Sequence, residues 1–413
     1  MSHTNSTSLE NAFVVGGGIG GLATALGLVK AGYSATVVEQ APAFGEVGAG
    51  LQLGPNATRI LDSWGLMDQV KAVGCLPENL VMRDAITGEE LTRLPLTGEF
   101  VQRYGAPYVV IHRTDLHSIL LEACREAGVT LQTDVRIGAV ERTETGTRAV
   151  AEDGQAFEAD LTIGADGLHS VLRQGIVGDQ PVPSGYVAYR GTVPSEDVPT
   201  DQGLNDVVVW VGPACHVVQY RLRAGAVLNV VAVFESPSFL RGEEEFGGVE
   251  ELEAAFAACH PRVRETLEHI GRHQRWAMFD REPAEHWGED RIVLTGDAAH
   301  PMLQYLAQGC CQALEDAKTL ETLARQARDT GSTPWSEVTR RYTEARIPRT
   351  AQVQQRARMF GEICHATGTA RLLRNELLAQ GDVDLFEYTD WIYQDRIPAL
   401  PTEPATPVSA TLA

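Results

Sequence analysis

The sequence lacks a surplus of basic residues. Its 413 residues include 34 Lys and Arg against 55 Asp and Glu, so the formal net charge at neutral pH is −21. Proteins that bind nucleic acid need positive side chains to neutralise phosphates. The composition therefore argues against a nucleic-acid partner, and any positive groups that bind an anionic ligand must be concentrated at a local site.

Long apolar runs are also missing. No uninterrupted apolar stretch approaches the roughly 20 residues that cross a bilayer, and residues 1–10 have neither the basic start nor the apolar run of a signal peptide. The seven cysteines include no C-x-x-C pair. Such a pattern is typical of reduced thiols and not of a disulfide framework or a zinc site. We therefore expect a cytoplasmic protein with no membrane span and no metal.

The order of apolar runs predicts an α/β chain, α+β overall. A β-prone run at 13–15, a Leu- and Ala-rich helix at 19–31 and a β-branched run at 36–38 form a βαβ unit. The runs at 161–163 and 291–294 resemble later strands of the same sheet. The chain should therefore begin a Rossmann-like sheet with this unit and return to the same sheet later.

The segment between the runs 161–163 and 291–294 has a different pattern of residues. Three β-rich runs joined by turn residues, at 207–210, 215–222 and 227–234, predict an antiparallel meander in a second sheet. From Trp335 onward the chain is expected to be mainly helical. The end, rich in Pro, Thr and Ala, is predicted to be a disordered tail.

A glycine-rich turn, Gly16 to Gly21, follows the first predicted strand and opens the first helix. Gly16 allows the tight turn, Gly18 lets a diphosphate approach the backbone, and Gly21 permits close packing of helix on strand. The helix N-terminus supplies N–H groups for an anion, and Glu39 is placed to accept hydrogen bonds from a ribose. The predicted dinucleotide-binding residues are Gly16, Gly18, Ile19, Gly20, Gly21 and Glu39.

The turn alone does not separate FAD from NAD, but two later motifs do. The first is the run 164–170, Gly-Ala-Asp-Gly-Leu-His-Ser, with Arg173 after it, and the second is the run 296–301, Gly-Asp-Ala-Ala-His-Pro, followed by Glu-Asp-Ala at 315–317. With these motifs the chain resembles the group A flavoprotein aromatic hydroxylases. The resemblance implies FAD as cofactor, NADH or NADPH as cosubstrate, O₂ as oxidant and a homodimer. It leaves the choice between NADH and NADPH open, because this family generally has no second Rossmann domain.

The same resemblance implies roles for five further residues. Asp297 would bind the ribityl chain or the pyrophosphate of FAD, and Asp166 would lie near the diphosphate and the path of the nicotinamide. Arg113 would contact the FAD, although an ordinary surface ion pair is the alternative. Gln52 ends the loop that runs beside the isoalloxazine ring, and Gly309 completes the cofactor-binding set.

One departure from the family pattern points to a subgroup. Gln304 takes the place of a proline, and a later asparagine is absent. The pair Gln304-Tyr305 resembles the corresponding pair in the subgroup of 3-hydroxybenzoate 6-hydroxylases. Further runs share this likeness, at 45–52, 83–87, 234–237 and 388–391.

The predicted strand 215–222 places His216, Val218, Tyr220 and Leu222 on one face. Such a face is either the wall of a ligand cavity or a core in which a histidine packs beside a tyrosine. The subgroup resemblance implies the first, with His216 and Gln304 as catalytic residues and Tyr220 as a substrate-binding residue.

Asp84 matches a further substrate-binding position of that subgroup. Arg190 is either a partner for a substrate carboxylate or a structural residue, and the sequence does not decide between these roles.

The implied chemistry transfers an electrophilic hydroxyl from a flavin C4a-hydroperoxide to a phenol. Deprotonation of the phenol activates the ring, and a histidine poised near neutral pH suits that proton transfer. The leading hypothesis is hydroxylation of 3-hydroxybenzoate to 2,5-dihydroxybenzoate (gentisate). Salicylate or a biosynthetic phenol remains an alternative substrate, and a flavin reductase or dehydrogenase without oxygen insertion, or a flavin-binding regulator without turnover, remains an alternative class.

These expectations divide the chain into a Rossmann-like FAD domain, an inserted antiparallel β-sheet substrate domain and a helical C-terminal segment. The FAD-binding domain is discontinuous and comprises 1–79, 105–182 and 286–334. The substrate domain comprises 80–104 and 183–285. The C-terminal helical segment is 335–397, and the tail is 398–413.

Overall fold

The computed structural model describes residues 10–45, 48, 50–198, 205–331, 333–380, 385–395 and 397. The predicted tail at 398–413 lies outside the described residues. The strands are β1 Asn11–Val15, β2 Ser34–Val38, β3 Gly50–Leu53, β4 Asn79–Asp84, β5 Glu90–Pro95, β6 Val109–His112, β7 Thr130–Gln132, β8 Ile137–Arg142, β9 Thr147–Ala151, β10 Ala156–Ala159, β11 Leu161–Gly164, β12 Val182–Pro194, β13 Val207–Gly212, β14 Cys215–Leu222, β15 Val227–Glu235, β16 Trp276–Asp280, β17 Gly288–Glu289 and β18 Ile292–Leu294.

The helices alternate with these strands in the first part of the chain and dominate its end. They are α1 Ile19–Lys30, α2 Pro55–Ser63, α3 Met67–Val73, α4 Glu99–Tyr104, α5 Arg113–Glu126, α6 Val171–Ile176, α7 Pro237–Leu240, α8 Val249–Phe256, α9 Pro261–Leu267, α10 Gly309–Thr330, α11 Trp335–Cys364, α12 Gly368–Ala379 and α13 Leu385–Tyr393. None of the helices within the described ranges is both long and apolar enough to span a bilayer.

The first sheet has the strand order β17-β18-β11-β1-β2-β7. β1 pairs in parallel with β2 and β11, and β18 extends the parallel array beyond β11. A parallel sheet of this kind is covered on both faces, which explains why β1 and β11 are almost wholly apolar. Helix α1 is buried along most of its length because α10 packs closely against it, and a Cβ on Gly27 would lie 3.1 Å from the carbonyl oxygen of Ala317. The predicted Rossmann-like sheet is confirmed.

The second sheet has the order β16-β12-β15-β14-β13-β4-β5. The predicted meander is present as the antiparallel pairs β13-β14 and β14-β15. The sheet differs from a purely antiparallel one because β4 pairs in parallel with β13. These two strands come from distant parts of the chain, and a parallel pair needs a long crossover of that kind.

Side chains of β14 alternate between the two faces of this sheet. Cys215 and Val217 point into a buried cluster that also contains Phe256 of α8 and Val263 of α9. His216 and Tyr220, one residue out of phase, face the opposite side. The helical cover on one face therefore leaves the other face available to line a cavity.

Helix α11 is fixed to α10 through a buried ion network. Arg346 of α11 donates to Asp316 and Glu315 of α10, each at 2.7 Å, and Arg349 donates to Glu315 at 3.1 Å. All four side chains are almost fully buried. A buried charge is tolerated only when it is paired and hydrogen-bonded, so this network specifies how α11 packs on α10.

Candidate active site

A cavity of about 2170 Å³ runs from the glycine-rich turn to the C-terminal helices. Sites for one drug-sized ligand usually have about 300–1,000 Å³. This cavity therefore has room for a dinucleotide and a small second ligand together. Its wall includes most of the predicted site residues: Gly16, Gly18, Ile19, Gly20, Glu39, Gln52, Arg113, Asp166, His216, Tyr220, Asp297, Gln304 and Gly309.

The glycine turn lies at one end of the cavity and requires glycine at two positions. Gly16 has a φ of +110°, and a Cβ there would lie 2.3 Å from the carbonyl oxygen of Ala165. A Cβ on Gly21 would lie 2.0 Å from the carbonyl oxygen of Gly16. Gly21 thus supports close packing of helix on strand, as the sequence predicts, and does not itself line the cavity.

Two helix N-termini open on this end of the cavity. Neither α1, which begins at Ile19, nor α10, which begins at Gly309, has a side-chain cap or an acidic residue in its first turn. The first backbone N–H groups of an uncapped helix need an external acceptor, and the helix dipole favours an anion there. The pair of helix ends therefore suits a diphosphate.

Glu39 is held rigidly at the edge of the same region. Its two carboxylate oxygens accept hydrogen bonds from the backbone N–H of Gly17 at 2.8 Å and of Ala41 at 2.9 Å. A fixed carboxylate beside a glycine turn is suited to bind a ribose hydroxyl.

Asp166 and Asp297 flank the predicted position of the cofactor. Asp166 Oδ2 accepts from the backbone N–H of Val171 at 2.8 Å, whereas its buried Oδ1 has no hydrogen-bond partner among the described residues. Burial raises the pKa of Asp166. Asp297 is exposed to the cavity, and Gly309 lies close to it. The residues of this end fit an FAD, since a ligand hydroxyl or amide would satisfy the orphaned oxygen of Asp166.

Gln52 and Tyr220 connect this end to the other. Gln52 Oε1 accepts from the hydroxyl of Tyr108 at 2.8 Å. The Tyr220 ring packs directly on the backbone of β3, where a Cβ on Gly50 would lie 2.5 Å from Tyr220 Cε2. Residues 46, 47 and 49 of the preceding loop lie outside the described residues.

At the far end, His216, Tyr220 and Gln304 share the cavity wall, as the sequence predicts. Arg190 Nη2 donates to Gln304 Oε1 at 2.9 Å, and the Arg190 guanidinium stacks over the ring of Trp276. Because its oxygen is already occupied, Gln304 has its amide N–H₂ left as a donor for a ligand. Burial raises the pKa of Tyr220, so its hydroxyl stays protonated.

His216 departs from one expectation. A histidine poised near neutral pH would suit the predicted proton transfer, but burial and the neighbouring His365 lower the pKa of His216 well below its ordinary value. His216 Nδ1 lies 2.8 Å from His365 Nε2, which directs the other ring nitrogen, Nε2, to a ligand. His216 is therefore neutral and able to accept a proton, although alone it is a weak base.

His365 lines the site although no sequence motif predicts it. It follows α11 and lies 149 residues from His216 along the chain. Its ring stacks on Tyr186 at 4.4 Å between centroids, and both line the cavity. No local pattern around His365 marks it, because only the packing of α11 against the second sheet brings it to the site.

Asp84 is not brought to the cavity. It ends β4, is fully buried, and accepts hydrogen bonds from Arg371 at 2.8 and 2.6 Å and from Asn375 at 2.7 Å. Although burial alone would raise the pKa of Asp84, these hydrogen bonds hold it well below its usual range. The position assigned to substrate binding from the sequence is thus a buried anchor for α12 in this structure, since its oxygens face α12 and not the cavity.

The comparisons with known proteins place this arrangement in a family. A family model described as an FAD binding domain matches residues 10–357. Two relatives that are each 40% identical over 92% of this chain are named hydroxylases. With the family model, they show that the chain belongs to the FAD-binding aromatic hydroxylases, which are flavoprotein monooxygenases, and the predicted enzyme class and cofactor are confirmed.

Within that class, the chain is similar to the 3-hydroxybenzoate 6-hydroxylase of Klebsiella oxytoca, with 40% identity over 92% of this chain and 96% of that protein. It is also similar to the 3-amino-4-hydroxybenzoate 2-monooxygenase of Streptomyces cremeus, with 39% identity over 85% of this chain and 87% of that protein. Among solved structures, Klebsiella pneumoniae HpxO complexed with FAD and uric acid has a TM-score of 0.78 and 26% identity, covering 90% of this chain and 93% of that chain.

Proposed function

We propose that this chain hydroxylates 3-hydroxybenzoate at carbon 6, giving 2,5-dihydroxybenzoate, with NADH or NADPH and O₂ as cosubstrates. The observation that carries the proposal is the meeting of a neutral histidine, an amide donor and a protonated tyrosine in a cavity that continues from the dinucleotide site. The likeness to a 3-hydroxybenzoate 6-hydroxylase over 92% of the chain supports the choice of substrate.

FAD would be held by the glycine turn, Glu39, Arg113, Asp166 and Asp297. When bound, FAD would supply the redox chemistry, because the nicotinamide reduces the flavin and the reduced flavin activates O₂ to an electrophilic oxygen. The chain's own residues then bind the substrate, exclude water and move its proton.

In the proposed complex, the substrate hydroxyl lies between His216 and Gln304. His216 Nε2 takes the phenol proton, and the Gln304 amide N–H donates to the resulting phenolate oxygen. The negative oxygen raises the electron density at the carbon para to it, which is carbon 6. A phenolate beside the imidazole also favours the protonated histidine, which counteracts the low pKa of His216 in the cavity.

Tyr220 and Arg190 are the candidates to hold the substrate carboxylate. Tyr220 keeps its hydroxyl proton and can donate it. Arg190 has no acidic partner among the described residues, and its buried Nε has no hydrogen-bond partner there. We assign Arg190 both the orientation of Gln304 and an attractive charge for the ring carboxylate.

The test combines a substrate screen with one variant. Substrate-stimulated NADH oxidation over hydroxybenzoate isomers, with product identification, should select 3-hydroxybenzoate and give a product that contains oxygen from labelled O₂. His216→Ala should retain its flavin and form product at least about a hundredfold more slowly. Near-normal product formation by this variant would contradict the base assignment, and unlabelled product would indicate a reductase instead. Selective turnover of salicylate would favour the alternative substrate.

The remaining assignments are also proposals. We propose a cytoplasmic protein, which is supported by the buried thiols Cys124, Cys215, Cys259, Cys311 and Cys364. We propose a homodimer from the family resemblance, to be tested by light scattering. We also propose the division at the sequence boundaries. The FAD-binding and substrate domains are supported by the separate clusters of the two sheets, whereas Trp335, Val338 and Tyr342 of the helical segment pack within the cluster of the first sheet.

A further inference from the structure

The second histidine of the cavity makes a contact with His216 that the proposed reaction does not yet use. His216 Nδ1 and His365 Nε2 lie 2.8 Å apart, and the two ring planes are inclined by 28° with centroids 5.0 Å apart. Only 3% of His216 and 6% of His365 is exposed. Two neutral imidazoles at this distance share one hydrogen, so one ring donates and the other accepts.

The fold fixes the position of His365 on several sides. Its backbone N–H donates to the Gly361 carbonyl oxygen at 3.0 Å, and its carbonyl oxygen accepts from the backbone N–H of Ala214, next to the start of β14, at 3.0 Å. The Tyr186 ring stacks on one face of the imidazole, and the Tyr305 ring meets it edge-on at 5.3 Å. A side chain held so closely is suited to orient its neighbour.

We propose that His365 is a positioning residue whose Nε2 accepts the Nδ1–H of His216, so that His216 Nε2 carries the lone pair that takes the phenol proton. This inference rests on the proposed function. In the reverse arrangement His365 would donate to His216 Nδ1, the hydrogen of neutral His216 would sit on Nε2, and no acceptor would face the substrate.

The same contact stabilises the protonated form of His216. The phenol O–H bond breaks, its proton joins His216 Nε2, and the imidazolium keeps its Nδ1–H bonded to His365. A buried cation without such a bond carries a large desolvation cost. His365 is suited to accept because burial and the charge of Arg374 lower its pKa to about 4, which keeps it neutral. The other titratable groups that face the pair, Tyr186 and Tyr305, stay protonated because burial raises the pKa of each hydroxyl.

The experiment uses three substitutions at one position in the FAD-loaded full chain. The amide oxygen of His365→Gln can reach the place of Nε2 and accept the same hydrogen, whereas the shorter side chain of His365→Asn and the apolar one of His365→Leu cannot. His273→Gln, at an exposed histidine away from the cavity, is the control.

We expect His365→Gln to keep kcat within a few-fold of wild type. His365→Asn and His365→Leu should lower kcat by about ten- to hundredfold with little change in KM, because a hydrogen bond to the base and not to the substrate is lost. Without NADH, ultraviolet difference titration should find the bound phenol ionising at higher pH in the Asn and Leu variants than in wild type and in His365→Gln.

Three results would overturn the assignment: equal kcat in all variants, equal loss in Gln and Leu, or an unchanged ionisation of the bound phenol. If His365→Leu loses its flavin or its thermal transition, kcat and the ionisation of the bound phenol are compared between His365→Gln and His365→Asn alone. Equal values in these two variants would overturn the assignment. The proposed function fails separately, if wild type forms no hydroxylated product from 3-hydroxybenzoate or if that product contains no labelled oxygen. A slow His216→Ala together with a normal His365→Asn sinks only the role of His365.

Discussion

Replacing Asp84 by alanine should loosen α12 from the second sheet without touching the substrate. Asp84 is fully buried and receives two hydrogen bonds from Arg371 and one from Asn375, besides backbone N–H groups of Ile86 and Thr87 at 2.9 and 2.8 Å. Removal of the carboxylate takes away the acid that pairs with Arg371, and with Arg374 at 3.4 Å, and it removes the acceptor of the two backbone donors. The structure thus predicts a loss of stability and not a loss of substrate affinity.

The magnitude follows from the burial of the pair. Removal of one partner of a buried ion pair costs about 3–5 kcal/mol. Because 15% of the Arg371 side chain is exposed and water can partly replace the lost bonds, we expect about 3 kcal/mol, near the lower end. In a chain of this size each kcal/mol lowers the melting temperature by roughly 2 °C or less, so the shift should be about 4–6 °C.

A pH series separates this ion pair from general packing. The hydrogen bonds from Arg371 and Asn375 outweigh burial and lower the pKa of Asp84. A lowered folded pKa stabilises the fold fully above the unfolded value of about 3.9 and loses that effect as the pH falls through the folded value. The difference in melting temperature between wild type and Asp84→Ala should therefore be constant near neutral pH and shrink in acid.

The assay is thermal unfolding of Asp84→Ala, Arg371→Ala and the double variant, with steady-state kinetics of each. The double-mutant cycle should give a coupling of about 1.5–3 kcal/mol, as expected for a hydrogen bond between charged groups. A coupling near zero, or a large rise in KM with unchanged stability, would refute the anchor and return Asp84 to the substrate site.

Two further predictions concern the first domain. Gly18→Val should fold but lose flavin absorbance, because a side chain would fill the space of the diphosphate. The control is Gly248→Val, at another extended helix N-cap away from the cavity, which should keep its flavin absorbance. A flavin-loaded Gly18→Val would contradict the role of Gly18. Glu315→Gln should lower stability by about 3 kcal/mol at neutral pH. Burial opposes ionisation there, but Arg346 and Arg349 lower the pKa of Glu315 to about 2, so thermal melts should converge with wild type as the pH falls from about 4 toward that value. Glu344→Gln, in an exposed pair, should change little at any pH.

The parts of the fold that the sequence predicts are those set by local constraints. The glycine turn between β1 and α1 depends on backbone conformations and close approaches within a few residues, which the glycines themselves record. The face of β14 that carries His216 and Tyr220 follows from the two-residue period of a strand. In both places the side chain and its environment are encoded by neighbouring positions.

The parts that the sequence does not predict depend on contacts between distant segments. Asp84 meets Arg371 across 287 positions, and His216 meets His365 across 149. Neither α12 nor the end of α11 carries a sequence motif that predicts its contact with Asp84 or His216. The low pKa of His216 has the same origin, since burial and a second imidazole are properties of the packed cavity. The parallel pairing of β4 with β13 likewise depends on tertiary packing.

Unsatisfied polar atoms link these observations to ligand binding. More than nine-tenths of buried polar groups in folded proteins have hydrogen-bond partners. Within the described residues, Asp166 Oδ1 and Arg190 Nε have none, and both residues line the cavity. Asp166 Oδ1 is an acceptor at the end of the cavity where the uncapped helices α1 and α10 begin. Arg190 Nε belongs to a cation at the end that holds the Gln304 amide and the Tyr220 hydroxyl. The first end of the cavity is thus complementary to a dinucleotide with hydroxyl and amide donors, and the second to an aromatic ring that carries an acid and a phenol.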